Sequence, residues 1–193
     1  MQYKKKAVHD KLLEYGMQEF LEKGFRAGSI STITEKAEVP VGNMYRYFDG
    51  KNGLLDALVK GTYLEIPKLI EQLAWIDQTT VVDIKELMVH LARVVLSLYD
   101  QHGKEIVLLV DKCATTRYED FSEKIIDQVA NLVFIKFYGA DGKEEDRLMS
   151  YLTAKAFVTT IFDIFRLSIT NEQRESIILR IMNFYFYELN VRK

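Results

Sequence analysis

Helical periodicity is the feature that most constrains the fold of this chain. Long segments place apolar residues at positions i, i+3, i+4 and i+7, and sustained alternation of apolar and polar residues is rare. Within 193 residues, only Pro40 and Pro67 interrupt the pattern. Because proline breaks the hydrogen bonding of a helix and strands require a period of two, the pattern predicts an all-α protein.

Local sequence signals predict several helix boundaries. Residues Ala7 to Lys23 form an amphipathic helix, which Gly24 is expected to end in the left-handed region of backbone conformation. Another helix is predicted from Thr80 to Gln101, with Gly103 beyond its end. Later helix starts carry capping boxes, in which two side chains satisfy free backbone donors. The boxes pair Thr116 with Glu119, Asp141 with Glu144, and Thr170 with Gln173.

Charge and cysteine content narrow the classes of function. The 26 basic and 28 acidic residues give a net charge of -2, whereas a basic balance is the usual mark of a nucleic-acid partner. The charge is uneven, since residues 1–60 carry ten basic and eight acidic side chains. The single Cys113 cannot form an internal disulfide, and no apolar run is as long as a spanning helix requires. We therefore expect a cytoplasmic protein with no membrane association.

The segment from Gly24 to Leu55 predicts two short helices joined by a tight connection. Ser29 can cap a helix from Ile30 to Ala37, and a second helix is predicted from Val41 to Phe48, with Pro40 at its first position. Two such helices packed on a preceding amphipathic helix are typical of a helix-turn-helix. A surface turn with unrelated tyrosines is the alternative interpretation.

Side-chain chemistry on the second helix favours contact with DNA. Met44 and Phe48 are four residues apart and can anchor the helix in the core, which leaves Asn43, Arg46 and Tyr47 exposed. Asparagine can address an adenine edge, arginine a guanine or a phosphate, and tyrosine a phosphate. These residue types predict a helix that reads the major groove.

With these residues, the segment resembles the DNA-binding signature of the TetR/AcrR (tetracycline-repressor) family. The resemblance is carried by Gly24, Phe25, Ser29, Ile30, Ile33, Ala37, Val39, the run from Val41 to Phe48, Lys51, Leu54 and Leu55. The sequence departs from the pattern at Gly28, where threonine is common, at Glu38, where glycine usually forms the turn, and at Pro40, where serine is usual. The resemblance implies DNA contacts by Ser29, Val41, Gly42, Asn43, Tyr45, Arg46, Tyr47 and Lys51.

The remainder of the chain resembles the family in length and helix content. The resemblance implies a helix-turn-helix DNA-binding domain over residues 1–50 and a helical ligand-binding and dimerisation domain over residues 51–193. Residues 148–189 are so apolar that their two helices must bury more than one face. A second subunit, or a buried position in a monomer, would satisfy this. The predicted dimer interface consists of Phe157, Ile161, Phe165, Ile178, Ile181, Phe184 and Tyr185.

The resemblance also implies an enclosed pocket for a small hydrophobic effector. The residues predicted to line it are Trp75, Met88, His90, Cys113, Tyr118, Phe134, Phe157 and Phe162. Each aromatic side chain among them fits ordinary core packing as well. His90 has no second histidine four residues away, so the sequence predicts no metal site, and Asp163 can pair with Arg166 on the next turn.

Taken together, these features predict a homodimeric, ligand-responsive transcriptional regulator that represses transcription at a palindromic operator on double-stranded DNA. No phosphate-binding loop, HExxH motif or nucleophile elbow occurs, so we expect neither an enzyme nor a cofactor. A helical small-molecule or lipid carrier whose N-terminal motif has lost DNA binding is the alternative, for which Gly28, Glu38 and Pro40 are the supporting departures.

Overall fold

The computed structural model describes residues 2–74, 84–139 and 141–191, with side chains described for 5–73, 89–139 and 141–186. Within these residues it consists of α-helices and contains no strand, which confirms the all-α prediction. The helices are α1 (Gln2–Ala27), α2 (Ile30–Lys36), α3 (Val41–Met44), α4 (Gly50–Ala74), α5 (Ile84–Lys112), α6 (Phe121–Phe137), α7 (Glu144–Arg166) and α8 (Asn171–Val191).

The chain divides into two compact units. The first unit comprises Met1–Leu64 and Lys104–Phe121, and the second comprises Glu65–Gly103 and Ser122–Lys193. The first unit therefore includes the beginning of α4 and the end of α5 as well as α1 to α3. The predicted functional division at residue 50 remains a prediction, since a functional boundary is not fixed by compactness alone.

The core of the first unit is built from one apolar face of each helix. Leu12 and Phe20 of α1, Ile33 of α2, Met44 of α3 and Leu54 of α4 have no exposed surface. Spacings of three, four or seven residues place such side chains along a single stripe, which explains why the sequence pattern located them. Within α1, helical geometry is interrupted at Gly24, which has a φ of 78° as predicted.

The connection between α2 and α3 is tight and contains a strained residue. Ser29 caps α2 by accepting a hydrogen bond from the Thr32 backbone N–H at 3.4 Å. The chain leaves α2 through Glu38, which has a φ of 57°. The α-helix of α3 ends at Met44 and not at Phe48 as predicted, because Arg46 and Tyr47 donate to carbonyls three residues back. Pro40 precedes this helix and does not occupy its first position.

Helix starts in the second unit only partly match the sequence prediction. Thr170 and Gln173 form the expected reciprocal capping box, with hydrogen bonds of 3.0 and 3.2 Å. At α7, by contrast, the Lys143 backbone N–H donates to Asp146, so the predicted pair of Asp141 and Glu144 is wrong. The pair Thr116 and Glu119 lies in turns ahead of α6, which begins at Phe121.

α5 continues past the predicted end at Gln101 and includes Gly103. A Cβ atom at Gly103 would lie 3.1 Å from the Tyr99 ring, so this glycine makes room for an aromatic side chain. The helix extends through Ile106, Leu108 and Leu109, whose burial outweighs the cost of about 1 kcal/mol for an internal glycine. The predicted start at Thr80 lies outside the described residues.

The core of the second unit includes the facing sides of α7 and α8. Phe157, Val158, Ile164 and Phe165 of α7 are buried, as are Ile178 and Met182 of α8. α7 is also long and apolar enough to cross a membrane, by a criterion that buried core helices satisfy equally. Three acidic residues occupy its first turn, where they stabilise the helix dipole.

Candidate nucleic-acid interface

The two predicted anchors of α3 lie in the core. Of the three residues that the sequence predicts to be exposed, Arg46 is exposed, whereas Asn43 and Tyr47 are half-buried. Met44 is fully buried and Phe48 nearly so, whereas Val41, Tyr45 and Arg46 are exposed. Tyr45 is 61% exposed, so its hydroxyl is free to reach a ligand outside the protein. The anchors therefore hold α3 and the turn that follows it, and the outer surface of that turn carries the Tyr45 phenol and the Arg46 guanidinium.

Two further residues of this helix affect how closely another surface can approach. Asn43 is half-buried and Gly42 is exposed. A Cβ atom built at Gly42 would meet no other atom within 4 Å, so the protein itself does not require glycine there. The open backbone at Gly42 suits a surface on which another macromolecule lies close to the chain.

Tyr47 is held by an aromatic contact that the sequence analysis missed. His9 of α1 stacks on Phe48 with ring centroids 5.1 Å apart and lies 6.2 Å from the Tyr47 ring. These contacts fix the Tyr47 ring against α1 while leaving it half-buried. A lone histidine in an amphipathic helix gives no signal that it packs against a residue 38 positions away, so only the tertiary structure identifies this support.

Lys51 is partly occupied by intramolecular contacts. Its Nζ donates to the Arg26 carbonyl oxygen at 3.1 Å and lies 4.8 Å from the centroid of the Phe25 ring. Burial lowers the pKa of Lys51, and the negative charge of Glu19 opposes this effect. Lys51 therefore ties the start of α4 to the end of α1, a role that the sequence prediction of a phosphate contact did not include.

Glu38 does not present an unpaired negative charge at the turn. Its carboxylate lies 3.5 Å from the Lys11 Nζ, although both side chains are well exposed. A surface ion pair contributes little to stability, but it places a compensating positive charge beside Glu38. The departure from the usual glycine thus affects backbone strain more than local charge.

Comparison with known proteins identifies this N-terminal segment. Residues 12–58 match the family described as bacterial regulatory proteins, tetR family. This segment of the chain is a TetR-family domain. The match runs from the middle of α1 into the first part of α4 and thus contains the helix-turn-helix, which confirms the resemblance seen in the sequence.

An alignment with an individual protein extends over a longer segment than the family match and agrees with it. The chain is 27% identical over 94 residues to the HTH-type transcriptional repressor DhaR of Mycobacterium sp. (strain GP1). The aligned segment covers 49% of this chain and 46% of that repressor, so it spans less than half of the relative.

Solved structures share the fold over most of the chain. A TetR-family transcriptional regulator from Bordetella parapertussis 12822 superposes with a TM-score of 0.71 at 14% identity, covering 93% of this chain and 94% of that one. A transcriptional regulator FadR from Bacillus subtilis in complex with stearoyl-CoA has a TM-score of 0.52 at 14% identity, covering 89% and 96%. At such low identities, these likenesses establish the fold: an N-terminal helix-turn-helix followed by a helical C-terminal region.

The residues predicted to line an effector pocket belong to different units of the chain. Cys113 and Tyr118 are buried in the first unit, and burial raises the pKa of the Cys113 thiol to about 11. His90, Phe134, Phe157 and Phe162 belong to the second unit, in which His90 is exposed and Phe162 half-buried. Trp75 and the side chain of Met88 lie outside the described residues.

The buried aromatic residues of the second unit make separate contacts. Phe134 stacks on Tyr138, and the Arg147 guanidinium lies 4.0 Å from the centroid of the Phe134 ring. Phe157 instead packs edge-on against Phe186, with centroids 4.9 Å apart. Asp163 pairs with Arg166 at 2.6 Å, as expected from their spacing. The effector-pocket residues remain a prediction.

A polar cavity in the first unit includes one predicted pocket residue. It has a volume of about 340 Å³ and is lined by Asn52, Leu55, Asp56, Thr115, Thr116, Arg117 and Tyr118. Asp56 of α4 accepts a hydrogen bond from the Tyr118 hydroxyl at 2.7 Å and forms an ion pair with Arg117. The Tyr63 hydroxyl, two turns further along α4, donates to Asp120 at 2.9 Å. Residues 113–120 are thus attached to the side of α4 by polar contacts.

The residues predicted for the dimer interface differ in their availability. Phe157, Ile161, Phe165 and Ile178 are buried within the chain, and Ile181 and Tyr185 are half-buried. Phe184 is 77% exposed. Sequence reasoning missed the exposed apolar side chains Leu148, Met149 and Leu152 of α7, because an apolar pattern does not tell which of several apolar faces is covered.

The described part of the chain holds no group of three or more histidine, cysteine, aspartate or glutamate residues that could bind a metal ion. His102 lies 3.8 Å from Glu65, and His9 lies 3.3 Å from Asp10. A metal site needs three or four converging ligands, so these pairs are local electrostatic contacts.

Proposed function

We propose that this protein is a cytoplasmic, homodimeric transcriptional regulator that binds an operator through α3 and represses transcription until a small molecule binds. The observation that carries the proposal is the TetR-family domain at residues 12–58, in which the turn after α3 exposes Tyr45 and Arg46 while Met44 and Phe48 are buried. The relative DhaR is a transcriptional repressor, which favours repression here.

The DNA contacts proposed for this regulator follow from the exposed surface of the first unit. Ser29 and the backbone of α2 would face a phosphate, and Val41, Gly42 and Asn43 would enter the major groove. Arg46 would contact a base edge or phosphate, while Tyr45 and Tyr47 would donate to phosphates. Lys51 would join them where its contact with Arg26 leaves donors free, since an ammonium has three.

Dimerisation gives the proposed recognition its specificity. A two-fold axis presents two copies of α3, which then read the half-sites of a palindrome about one helical turn apart. The exposed Phe184 of α8 and the exposed Leu148 and Leu152 of α7 supply apolar surface suitable for a second subunit. The division into a DNA-binding domain over residues 1–50 and a ligand-binding and dimerisation domain over residues 51–193 is part of the same proposal.

A small hydrophobic effector is proposed as the signal. The structure of FadR holds stearoyl-CoA, an acyl thioester with a long apolar chain, in a protein of the same fold. Buried aromatic residues such as Phe134 and Phe157 provide an apolar interior in the second unit of this chain. Such interiors bind ligands largely by apolar contact, with a few polar groups setting orientation.

Coupling between effector and DNA is proposed to act through α4. Near the start of this helix, Lys51 donates to the Arg26 carbonyl at the end of α1, and further along Asp56 and Tyr63 hold residues 113–120. An effector that favours one arrangement of α4 would shift the population of dimers whose α3 helices fit the operator. A coupling free energy of about 1 to 3 kcal/mol would change operator affinity about 5- to 150-fold.

The proposal is tested with duplex DNA from the region upstream of the gene that encodes the protein. Fluorescence anisotropy at several salt concentrations should show binding that weakens steeply as salt rises. Arg46→Ala should lower the affinity about tenfold, whereas Arg180→Ala, which removes an exposed arginine from α8, should leave it unchanged. Equal binding by the two variants, or no binding by the wild-type protein, would contradict the proposal.

A further inference from the structure

A carboxylate is completely buried beside the helix-turn-helix. Glu19 of α1 has no exposed surface, although glutamate is among the residues least often found fully buried. Its Oε1 accepts hydrogen bonds from the Lys23 Nζ at 2.9 Å and from the Ser29 backbone N–H at 3.1 Å. Its Oε2 is also buried and accepts no hydrogen bond within the described residues. All of its hydrogen bonds in that part of the chain therefore pass through Oε1.

The bond to Ser29 fixes the point where α2 begins. The Ser29 side chain caps α2, and the Ser29 backbone N–H donates a hydrogen bond to Glu19, which lies ten residues earlier in the chain. Between these residues the chain bends through Gly24 and Gly28, and a Cβ atom at Gly28 would lie 2.7 Å from the Phe20 ring. The turn is thus packed against α1 on one side and bonded to Glu19 on the other.

The charge of Glu19 also influences neighbouring cations of the same unit. Burial alone would raise the pKa of Glu19, but hydrogen bonds from Lys23 and Ser29 and the charges of Lys23 and Lys36 bring it below its ordinary value. Lys51, attached to the Arg26 carbonyl, is likewise within the electrostatic influence of Glu19. The carboxylate is therefore ionised at neutral pH and sits beneath the junction of α1, α2 and α4.

Stability alone does not account for a charge in this position. Replacing a buried ion pair by apolar side chains of similar volume is often neutral or stabilising, because the charges no longer have to be desolvated. What an apolar side chain cannot do is accept the hydrogen bond from Ser29. The geometry points to Glu19 as a positioning residue that holds the Ser29 backbone, and with it the start of α2, in the orientation required for DNA binding.

This inference rests on the proposed DNA-binding function, and two variants separate the acceptor from the charge. Glu19→Met fills a similar volume but accepts no hydrogen bond, whereas Glu19→Gln keeps an acceptor and loses the charge. Glu22→Gln removes a negative charge from an exposed position of the same helix and serves as the control. Affinity for the duplex DNA from upstream of the gene is measured by fluorescence anisotropy. Global stability is measured by urea unfolding, and protection of the Ser29 amide is measured by hydrogen exchange monitored by NMR.

We expect Glu19→Met to lower operator affinity about tenfold and to expose the Ser29 amide to exchange, with urea unfolding near that of the wild type. Glu19→Gln should restore at least half of the affinity on a logarithmic scale and most of the protection, and Glu22→Gln should match the wild type. A protected Ser29 amide in Glu19→Met, or equal affinity losses in the Met and Gln variants, would overturn the inference.

The measurements without DNA keep this inference separate from the proposed function. If the wild-type protein binds no DNA, the proposed function fails, and with it the part assigned to Glu19, even where the exchange data establish the bond to Ser29. If Glu19→Met does not fold, the wild-type and Glu19→Gln proteins decide the matter. An unprotected Ser29 amide in the wild type, or an affinity of Glu19→Gln more than about tenfold below it, then overturns the inference.

Discussion

Two residues other than glycine have left-handed backbone conformations in the described part of the chain. Glu38 has a φ of 57° between α2 and α3, and Thr115 has a φ of 66° between α5 and α6. This region is costly for residues with a Cβ atom, and a β-branched residue such as Thr115 is a genuine outlier there. Both strained positions lie in the first unit. Glu38 precedes the proposed recognition helix α3, and Thr115 lies in the segment of residues 113–120 that is bonded to α4.

Glu38→Gly should stabilise the protein. Relief of the left-handed strain outweighs the greater entropy of glycine in the unfolded chain, and the gain should be about 0.5 to 1 kcal/mol. Loss of the exposed ion pair with Lys11 subtracts little from it. Urea unfolding measures the free energy of unfolding.

The control for this substitution is Glu35→Gly, which changes an exposed glutamate within α2. Glycine in a helix costs about 1 kcal/mol, so this variant should be less stable than the wild type. Equal destabilisation by both substitutions would show that the conformation of Glu38 is not strained in solution.

Cys113 should make stability depend on pH in the alkaline range. Burial raises the pKa of its thiol from 9.0 to about 11, so above pH 9 the unfolded chain loses this proton while the folded chain keeps it. The stabilisation is complete below pH 9 and is lost as the pH rises from 9 to 11, amounting to about 3 kcal/mol at most. Urea unfolding of the wild type and of Cys113→Ala over this range measures the difference. Parallel pH profiles would contradict it.

At the scale of elements, the connection between α7 and α8 depends on one buried arginine. Arg174 has no exposed surface and donates to the carbonyl oxygens of Ile164 and, at 3.0 Å, of Leu167. Its guanidinium lies 3.6 Å from the centroid of the Tyr99 ring on α5. These carbonyls are at the end of α7, where a helix has acceptors without internal partners and favours a positive charge. The arginine therefore ends one helix, begins another and packs on a third.

Arg174→Met should destabilise the protein by about 2 to 4 kcal/mol, because the carbonyls at the end of α7 lose their donors and the contact with Tyr99 is lost. Arg180→Met, an exposed substitution on the same helix, should change stability by less than about 0.5 kcal/mol. Urea unfolding distinguishes the two, and similar midpoints would mean that Arg174 does not cap α7.

At the scale of the whole molecule, the described chain leaves apolar surface uncovered in the second unit. Phe184 is 77% exposed on α8, and Leu148 and Leu152 are more than half exposed on α7. Because α7 and α8 pack against each other and the chain reverses between them, Leu152 and Phe184 lie at similar distances from the connecting turn. An exposed aromatic residue on α8, together with exposed leucines on α7, suits an interface with a second copy.

Phe184→Glu should weaken the proposed dimer at least about tenfold, because truncation of an aromatic residue at the centre of an interface can cost about 2 kcal/mol or more. Asn183→Glu adds the same charge at an exposed neighbouring position and should have a much smaller effect. Sedimentation velocity over a range of concentrations measures the dissociation constant. Equal dissociation constants for the two variants would show that Phe184 does not lie in the interface.

The sequence by itself determined the helical class, the helix-turn-helix and its family. These are local properties: the apolar repeat of 3.6 residues, Ser29 as the cap of α2, Gly24 as the interruption of α1, and the anchors Met44 and Phe48 four residues apart. It also located the Thr170 and Gln173 capping box, because both partners lie within one turn of helix. Signals of this range need no knowledge of where other parts of the chain lie.

Only the tertiary structure decided which apolar faces are covered and which polar groups find distant partners. The sequence predicted that α5 ends at Gln101, whereas burial of residues further along continues the helix. It also assigned both Phe165 and Phe184 to an interface, although only Phe184 is exposed. The contacts of Glu19 with Ser29, His9 with Phe48 and Asp56 with Tyr118 also required the folded chain. Burial and long-range hydrogen bonds depend on packing between segments, and a local pattern carries no record of that packing.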